Sequence, residues 1–175
     1  SLTASLALSA GDSLFYEQHT PGGNTLQNHS FNSTALGLIA SQNWDHVVLQ
    51  GQSQETSLPM GQVQSQTFPY AVSLCESIRD NYPCTRPMFY MTWGRENGDS
   101  GNCALWPPVC TYEGMDDLIR ERYEMMADDN EAYLLNMWTF HSYRNKNIAP
   151  YLRYQSYQLL KKQGKVLNIF IDTIL

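Results

Sequence analysis

The sequence lacks the features that mark several large classes of protein. It has no cluster of Lys and Arg residues and a formal net charge of −6, which gives little support to nucleic-acid binding, because phosphates are bound by clustered positive charge. It has no apolar run near the roughly 20 residues of a membrane-spanning helix. It has no CxxC pair, which disfavours zinc and thioredoxin-like sites. We therefore predict no nucleic-acid partner, no membrane span, no metal and no cofactor.

What the sequence does have is the composition of a folded domain. Hydrophobic residues make up 42% of the 175 residues and charged residues 16%, which is typical of globular rather than disordered chains. The length suits one domain with a core and is short for two. We predict one domain over residues 1–175, with no internal repeat or linker.

The four cysteines indicate a pairing. Of the three possible pairings, the simplest joins Cys75 to Cys84 and Cys103 to Cys110, because each pair brackets a short segment. The alternative is four reduced thiols in the core of a cytosolic protein.

Two glycosylation sequons favour the oxidising alternative. Asn28 and Asn32 each begin an Asn-x-Ser/Thr triplet. Sequons together with paired cysteines are typical of the secretory pathway, so we predict a secreted glycoprotein. We also expect that any signal peptide has been removed ahead of Ser1.

Apolar periodicity predicts alternating strands and helices. The predicted strands are 13–20, 44–51, 87–94 and 133–140, and the predicted helices are 33–42, 68–82 and 115–132. The continuous apolar runs in 44–51 and 87–94 are typical of parallel strands buried on both faces. We predict that these two are neighbouring parallel strands, with the helix over 115–131 packed on one face of an α/β sheet.

Three strand ends carry glycine-rich or polar segments: 21–24 (PGGN), 50–54 (QGQSQ) and 92–95 (TWGR). Ligands of open parallel sheets bind at the carboxyl ends of the strands. Backbone N–H groups of a Gly-Gly turn, together with a Gln amide, can form an oxyanion hole. The alternative for each segment is an ordinary turn.

Several segments in order resemble the SGNH-hydrolase-like families. They are GDSLFYEQHTPGGNTLQNHS, WDHVVLQGQSQ, PMFYMTWGRENGD and WPPVCTYEGMDDLIRERYEMMADDNEA, within residues 11–132; QGQSQ also resembles the QGESN segment of sialate and acetyl-xylan esterases. The resemblance implies a three-layer α/β/α sandwich with a flavodoxin-like parallel sheet. It also implies hydrolysis of ester-linked acyl groups, with carbohydrate acetyl groups as candidates. Carried over, it nominates Gln50 with Gly22 or Gly23 for the oxyanion hole.

The chain departs from that family at both ends. The first strand and its nucleophile turn are absent, which implies that upstream residues are missing or that another segment or a protein partner fills the slot. The family's Asp-x-x-His block is also absent, with Tyr154 and Tyr157 in one possible alignment. Residues 133–175 diverge from the family.

The residues available for ester hydrolysis are therefore poor. Ser13 lies in a GDSL sequence, but a working nucleophile follows a buried strand and precedes a helix. His141 is the best candidate base, and a structural role is favoured for each histidine. Arg95 is a candidate to hold a carboxylate or sugar hydroxyl, the alternative being an ion pair with Glu96. Two classes remain: a hydrolase, or a non-catalytic extracellular binding or structural protein that keeps the fold.

Overall fold

The computed structural model describes residues 8, 9, 11 and 13–135. The helices are α1 (Leu26–Ser30), α2 (Ser33–Ile39), α3 (Ser53–Ser57), α4 (Met60–Gln66), α5 (Phe68–Asn81) and α6 (Tyr112–Asp129), with a 3₁₀ turn at Pro107–Cys110. The strands are β1 (His46–Leu49), β2 (Arg86–Tyr90) and β3 (Tyr133–Leu135). None of the helices in this part of the chain is long and apolar enough to cross a membrane.

The three strands form one parallel sheet in the order β1-β2-β3. Val47 pairs with Pro87 and Leu49 with Phe89, which confirms the predicted pairing of the two apolar strands. All four residues of β1 are buried, as expected for a strand covered on both faces.

The main core lies on the sheet face that carries Val47 and Phe89. Helix α5 buries residues at helical spacing there (Ala71, Leu74, Cys75 and Ile78), and α6 does the same with Met115, Ile119, Tyr123 and Met126. The Thr111 side chain caps α6 by accepting from the Gly114 N–H. The predicted packing of this helix on the sheet is confirmed.

The opposite face of the sheet carries a smaller cluster of Val48, Met88 and Tyr90, with Leu135 packed against it. Within residues 13–135, no helix contributes to this cluster. The helices placed by the structure therefore line one face.

One predicted strand is wrong. Residues 13–20 form no helix or strand, although their sequence alternates. Phe15 stacks on Trp44 with ring centroids 5.8 Å apart, so the aromatic residues of this segment serve side-chain packing. Alternation produces a strand only where a neighbouring strand supplies backbone partners.

The predicted Cys75–Cys84 disulfide is also wrong, whereas the predicted Cys103–Cys110 disulfide is confirmed. Cys75 is free and buried, and Cys84 is free and exposed. After Cys75, α5 continues to Asn81 and carries the chain about 9 Å along its axis. The Cys75 thiol lies in the core, whereas Cys84 lies exposed beyond the end of α5.

Candidate functional site

The three glycine-rich or polar segments meet in one pocket at the carboxyl edge of the sheet, where two of them follow β1 and β2. The pocket encloses about 770 Å³, including its open mouth. Its lining comprises Pro21, Gly23, Asn24, His29, Gln50, Gly51, Gln52, Ser53, Thr92, Trp93, Gly94 and Arg95. Of the residues singled out in the sequence, Gly23, Gln50 and Arg95 come together here, while the exposed Gly22 precedes the lining residue in the turn.

The glycine turn depends on a left-handed residue. Gly23 has φ +73°, a conformation that disfavours side chains. The chain then enters α1 through Thr25, whose hydroxyl accepts from the Asn28 N–H at 3.1 Å. A backbone bond from the Gln52 N–H to the Asn24 carbonyl, 2.9 Å long, ties this turn to the segment after β1.

A buried carboxylate organises the other wall of the pocket. The Asp99 side chain is 1% exposed and accepts from Gln54 at 2.7 Å, from Asn102 at 2.6 Å and from the Gly101 N–H at 3.2 Å. It also pairs with Arg95 at 3.2 Å. Burial by itself would raise the pKa of Asp99, but these hydrogen bonds and the Arg95 charge lower it.

The ion pair with Asp99 holds the Arg95 side chain in place but does not occupy all of its hydrogen-bond donors. Its side chain remains 47% exposed beside the pocket, so guanidinium donors stay available to a ligand. The structure pairs Arg95 with Asp99, whereas the sequence-based alternative named Glu96.

Glu55 lies against the lining residue Gly51, and no sequence pattern singled it out. It lies one turn into α3 and is 5% exposed. Both of its carboxyl oxygens lie 3.2 Å from the Leu26 nitrogen, whose N–H donates to them. The available signal was an acidic residue in the first turn of a helix, but that helix was not predicted.

Two histidines line the approach to the pocket. The His19 and His29 rings meet edge to face, with centroids 6.4 Å apart. Burial, and then the neighbouring His19, lower the pKa of His29, which keeps its imidazole neutral at pH 7. Within the described residues, His19 Nε2 is buried without a hydrogen-bond partner.

A groove of about 640 Å³, including the space open to solvent, runs from the pocket along β1. Val47 and Val48 both line it, although they point to opposite faces of the sheet, so the groove follows the edge of the strand. Leu38, Ile39 and Leu74 give it an apolar wall. His29 and Gln50 line both the groove and the pocket.

The candidate nucleophile does not reach this site. Ser13 is exposed and is followed by irregular chain, and it does not line the pocket. His141, Tyr154 and Tyr157 lie outside the described residues. Among the residues that the structure describes, no group of three His, Cys, Asp or Glu side chains is arranged to hold a metal.

The sequon asparagines lie on either side of the link between α1 and α2. Asn28 is exposed on α1, while the Asn32 side-chain oxygen caps α2 by accepting from the Ala35 N–H at 2.9 Å. Glycosylation at both positions stays a prediction.

The comparisons with known proteins bear on the fold. No protein-family model and no curated protein matches the chain. Among solved structures, the chain is similar to a protein described as "a putative SGNH hydrolase" from Slackia heliotrinireducens, with a TM-score of 0.56 and 21% sequence identity over 74% of this chain and 67% of the other. The fold is therefore an SGNH-hydrolase-like α/β fold with a parallel sheet, as predicted.

Proposed function

We propose that this chain is an SGNH-hydrolase-like domain of a secreted protein whose carboxyl-edge pocket binds an ester-linked acyl group, with acetylated carbohydrate as the candidate ligand. The carrying observation is the convergence of the 21–24, 50–53 and 92–95 segments in one pocket. Parallel α/β sheets bind their ligands at this edge.

The pocket offers complementary groups for such a ligand. In this proposal, the Gln50 amide and the backbone N–H groups of the glycine turn at Gly22 and Gly23 donate to a carbonyl oxygen, and Arg95 donates to carbonyl or sugar oxygens. Trp93 lines the pocket and is 50% exposed, which suits stacking on the apolar face of a sugar ring.

Binding without turnover is the role we assign to the chain itself. Ser53 and His29 both line the pocket, but no hydrogen bond joins them in the described part of the chain. No carboxylate acts on His29 there either; its pKa responds to burial and His19. A Ser-His arrangement without an orienting acid lacks a part of the usual nucleophilic set.

The test is binding of an acetylated xylo-oligosaccharide, measured by calorimetry, with the deacetylated sugar as reference. We expect Gln50→Ala and Arg95→Ala each to weaken binding about tenfold, the loss of one good hydrogen bond. Gln64→Ala and Arg120→Ala, at exposed helix positions, serve as matched controls. Equal affinity for both sugars, or equal effects of site and control variants, would contradict the proposal.

A second candidate function rests on the groove along β1. The groove opens at a strand edge and has apolar walls, which is the form of site that accepts an added β-strand. We propose that an extended segment, from upstream chain or a protein partner, pairs there with β1. Hydrogen exchange at residues 46–49 should slow in a chain lengthened by its own upstream gene sequence. Unchanged exchange, together with unchanged oligomeric state, would count against this role.

A further inference from the structure

One buried carboxyl connects two segments that border the pocket. Glu55 belongs to the segment after β1, and its oxygens accept from the N–H of Leu26, the first residue of α1 after the glycine turn. The bond from the Gln52 N–H to the Asn24 carbonyl runs between the same segments. The separation between the glycine turn and Gln50 therefore depends on where Glu55 sits.

The carboxyl fits closely against its surroundings. A β-carbon at Gly51 would lie 1.5 Å from Glu55 Oε1, so the carboxyl occupies space that only glycine leaves free. The Gly51 N–H donates to the Tyr123 hydroxyl at 3.3 Å, and Tyr123 lies close to Thr92, whose hydroxyl has no hydrogen-bond partner among the described residues. Glu55 and its neighbours thus join the chain after the glycine turn to the segment after β1 and to α6.

Among the described residues, no cation is one of the groups that shift the pKa of Glu55. Burial raises its pKa to about 8, and the Leu26 N–H offsets only part of that effect. Tyr123 on α6 is the titratable group that faces it, and burial, followed by Glu55, raises the pKa of Tyr123. Helix α4, which follows α3, carries no ionisable residue. On α1, the ionisable residue is His29, which lines the pocket and the groove. At pH 7 the carboxyl is mainly neutral.

We propose that Glu55 is a positioning residue: as a neutral carboxyl it holds the glycine turn at the distance from Gln50 that the pocket requires, and its ionisation loosens that link. An ionised carboxylate with a single backbone donor is poorly stabilised in a dry interior, so the segments separate or admit water. The effect on ligand binding rests on the proposed function, whereas the coupling between the segments does not.

The coupling is tested without ligand by following backbone amide shifts in ¹H–¹⁵N spectra from about pH 6 to about pH 9.5. We expect Leu26, Gly23 and Gln50 to share one midpoint near pH 8. The pKa of His29 is lowered from 6.5, so its titration falls outside that midpoint. Glu55→Gln, which keeps a neutral acceptor for Leu26, should abolish the shared step, and Glu124→Gln on an exposed face of α6 should leave it.

The wild-type titration needs no variant, so the proposal stays testable if Glu55→Gln does not fold. Leu26 shifts that stay flat through pH 8 would overturn it. Titration of Leu26 with no matching change at Gly23 and Gln50 would also overturn it, because Glu55 would then be a buried acid without influence on the pocket.

Ligand affinity is the second readout. If the ionised form does not bind, affinity for the acetylated sugar falls about tenfold between pH 7 and pH 9, and Glu55→Gln binds equally at both. A shared amide titration with no sugar binding at any pH would refute the proposed function and keep the coupling. Sugar binding that ignores pH, with flat amide shifts, would refute the coupling and keep the proposed function.

Discussion

At the residue scale, the tightest requirement in the site falls on Gly51. Its missing side chain leaves the space that the Glu55 carboxyl fills. We expect Gly51→Ala to destabilise the protein by about 2 kcal/mol, because the buried carboxyl is held by Leu26 and cannot move aside freely. Urea unfolding measures the change.

The matched control for that substitution is Gly37→Ala. Gly37 is an exposed glycine within α2 with open space around the added carbon. Alanine there should stabilise the protein by about 0.5–1 kcal/mol, since it favours the helical backbone. Equal effects at the two glycines would mean that Glu55 yields space readily.

Glu55 also gives a pH dependence with a definite sign. Its pKa is 4.5 ordinarily and about 8 in the fold, so the folded state retains a proton that the unfolded chain releases. The contribution of Glu55 to the free energy of unfolding is complete below pH 4.5 and is lost as the pH rises to about 8. The free energy of unfolding falls by at most about 1.4 kcal/mol per pH unit in this range. Urea unfolding from pH 5 to 8.5 measures this slope. In Glu55→Gln the component should vanish, and a slope that persists in the variant would assign it to another group.

At the element scale, Asp99 ties the long segment between β2 and α6 to the α3 segment. Asp99→Ala removes the acceptor of the Gln54, Asn102 and Gly101 donors. We expect a loss of about 3 kcal/mol, because three donors, all in part-buried hydrogen bonds, lose their charged partner together. Since the pKa of Asp99 is lowered from 3.8, its contribution is present above that pH and is lost as the solution becomes more acidic.

Asp117→Ala is the control for Asp99. Asp117 also pairs with an arginine, Arg120, but its side chain is 68% exposed. Exposed ion pairs contribute less than about 1 kcal/mol to stability. The urea unfolding midpoint of the Asp117→Ala variant should therefore hardly differ from that of the unsubstituted protein. If Asp99→Ala behaves in the same way, the segment is held by the Cys103–Cys110 disulfide and the 3₁₀ turn instead.

The elements differ in how far sequence could predict them. The parallel pairing of 44–51 with 87–94 and the helix before 87 were correct, because long apolar runs and helical spacing reflect burial directly. The α3 and α4 helices were not predicted, because their sequences, SQETS and MGQVQSQ, are polar and such short helices depend on tertiary contacts such as Glu55 with Leu26. The alternating pattern of 13–20 predicted a strand that does not form, because a strand also depends on tertiary contacts, in this case with a neighbouring strand.

At the scale of the whole molecule, sheet topology explains why part of the site was predictable. Once two strands are parallel, their carboxyl ends share one edge, so the meeting of Gln50 and Arg95 follows from local sequence signals. Gly23 follows no strand, and its segment is tied to the site by the bond from the Gln52 N–H to the Asn24 carbonyl. The Glu55–Gly51–Tyr123 contacts did not follow. They join α3 to α6 across many intervening residues, and no local pattern reports a contact between distant helices.

The whole chain yields one prediction about activity. We expect it to hydrolyse an activated acetyl ester no faster than buffer alone, because an oxyanion hole stabilises only the charge that a nucleophile creates. Ser13 lies away from the pocket, and Ser53 and His29 lack an orienting carboxylate. Tyr154 and Tyr157, as neutral phenols with a usual pKa near 10, are poor bases at pH 7.

Initial-rate measurements with Ser13→Ala and Ser53→Ala make that prediction specific. Turnover that disappears in Ser13→Ala would show that the GDSL serine reaches a base after all. Turnover that disappears in Ser53→Ala would place a nucleophile in the pocket beside His29 and make the chain an enzyme by an arrangement of its own. An inert chain that becomes active only when lengthened upstream would favour a missing strand over a degenerate protein, because a strand added along β1 ends beside Gln50, where the pocket opens.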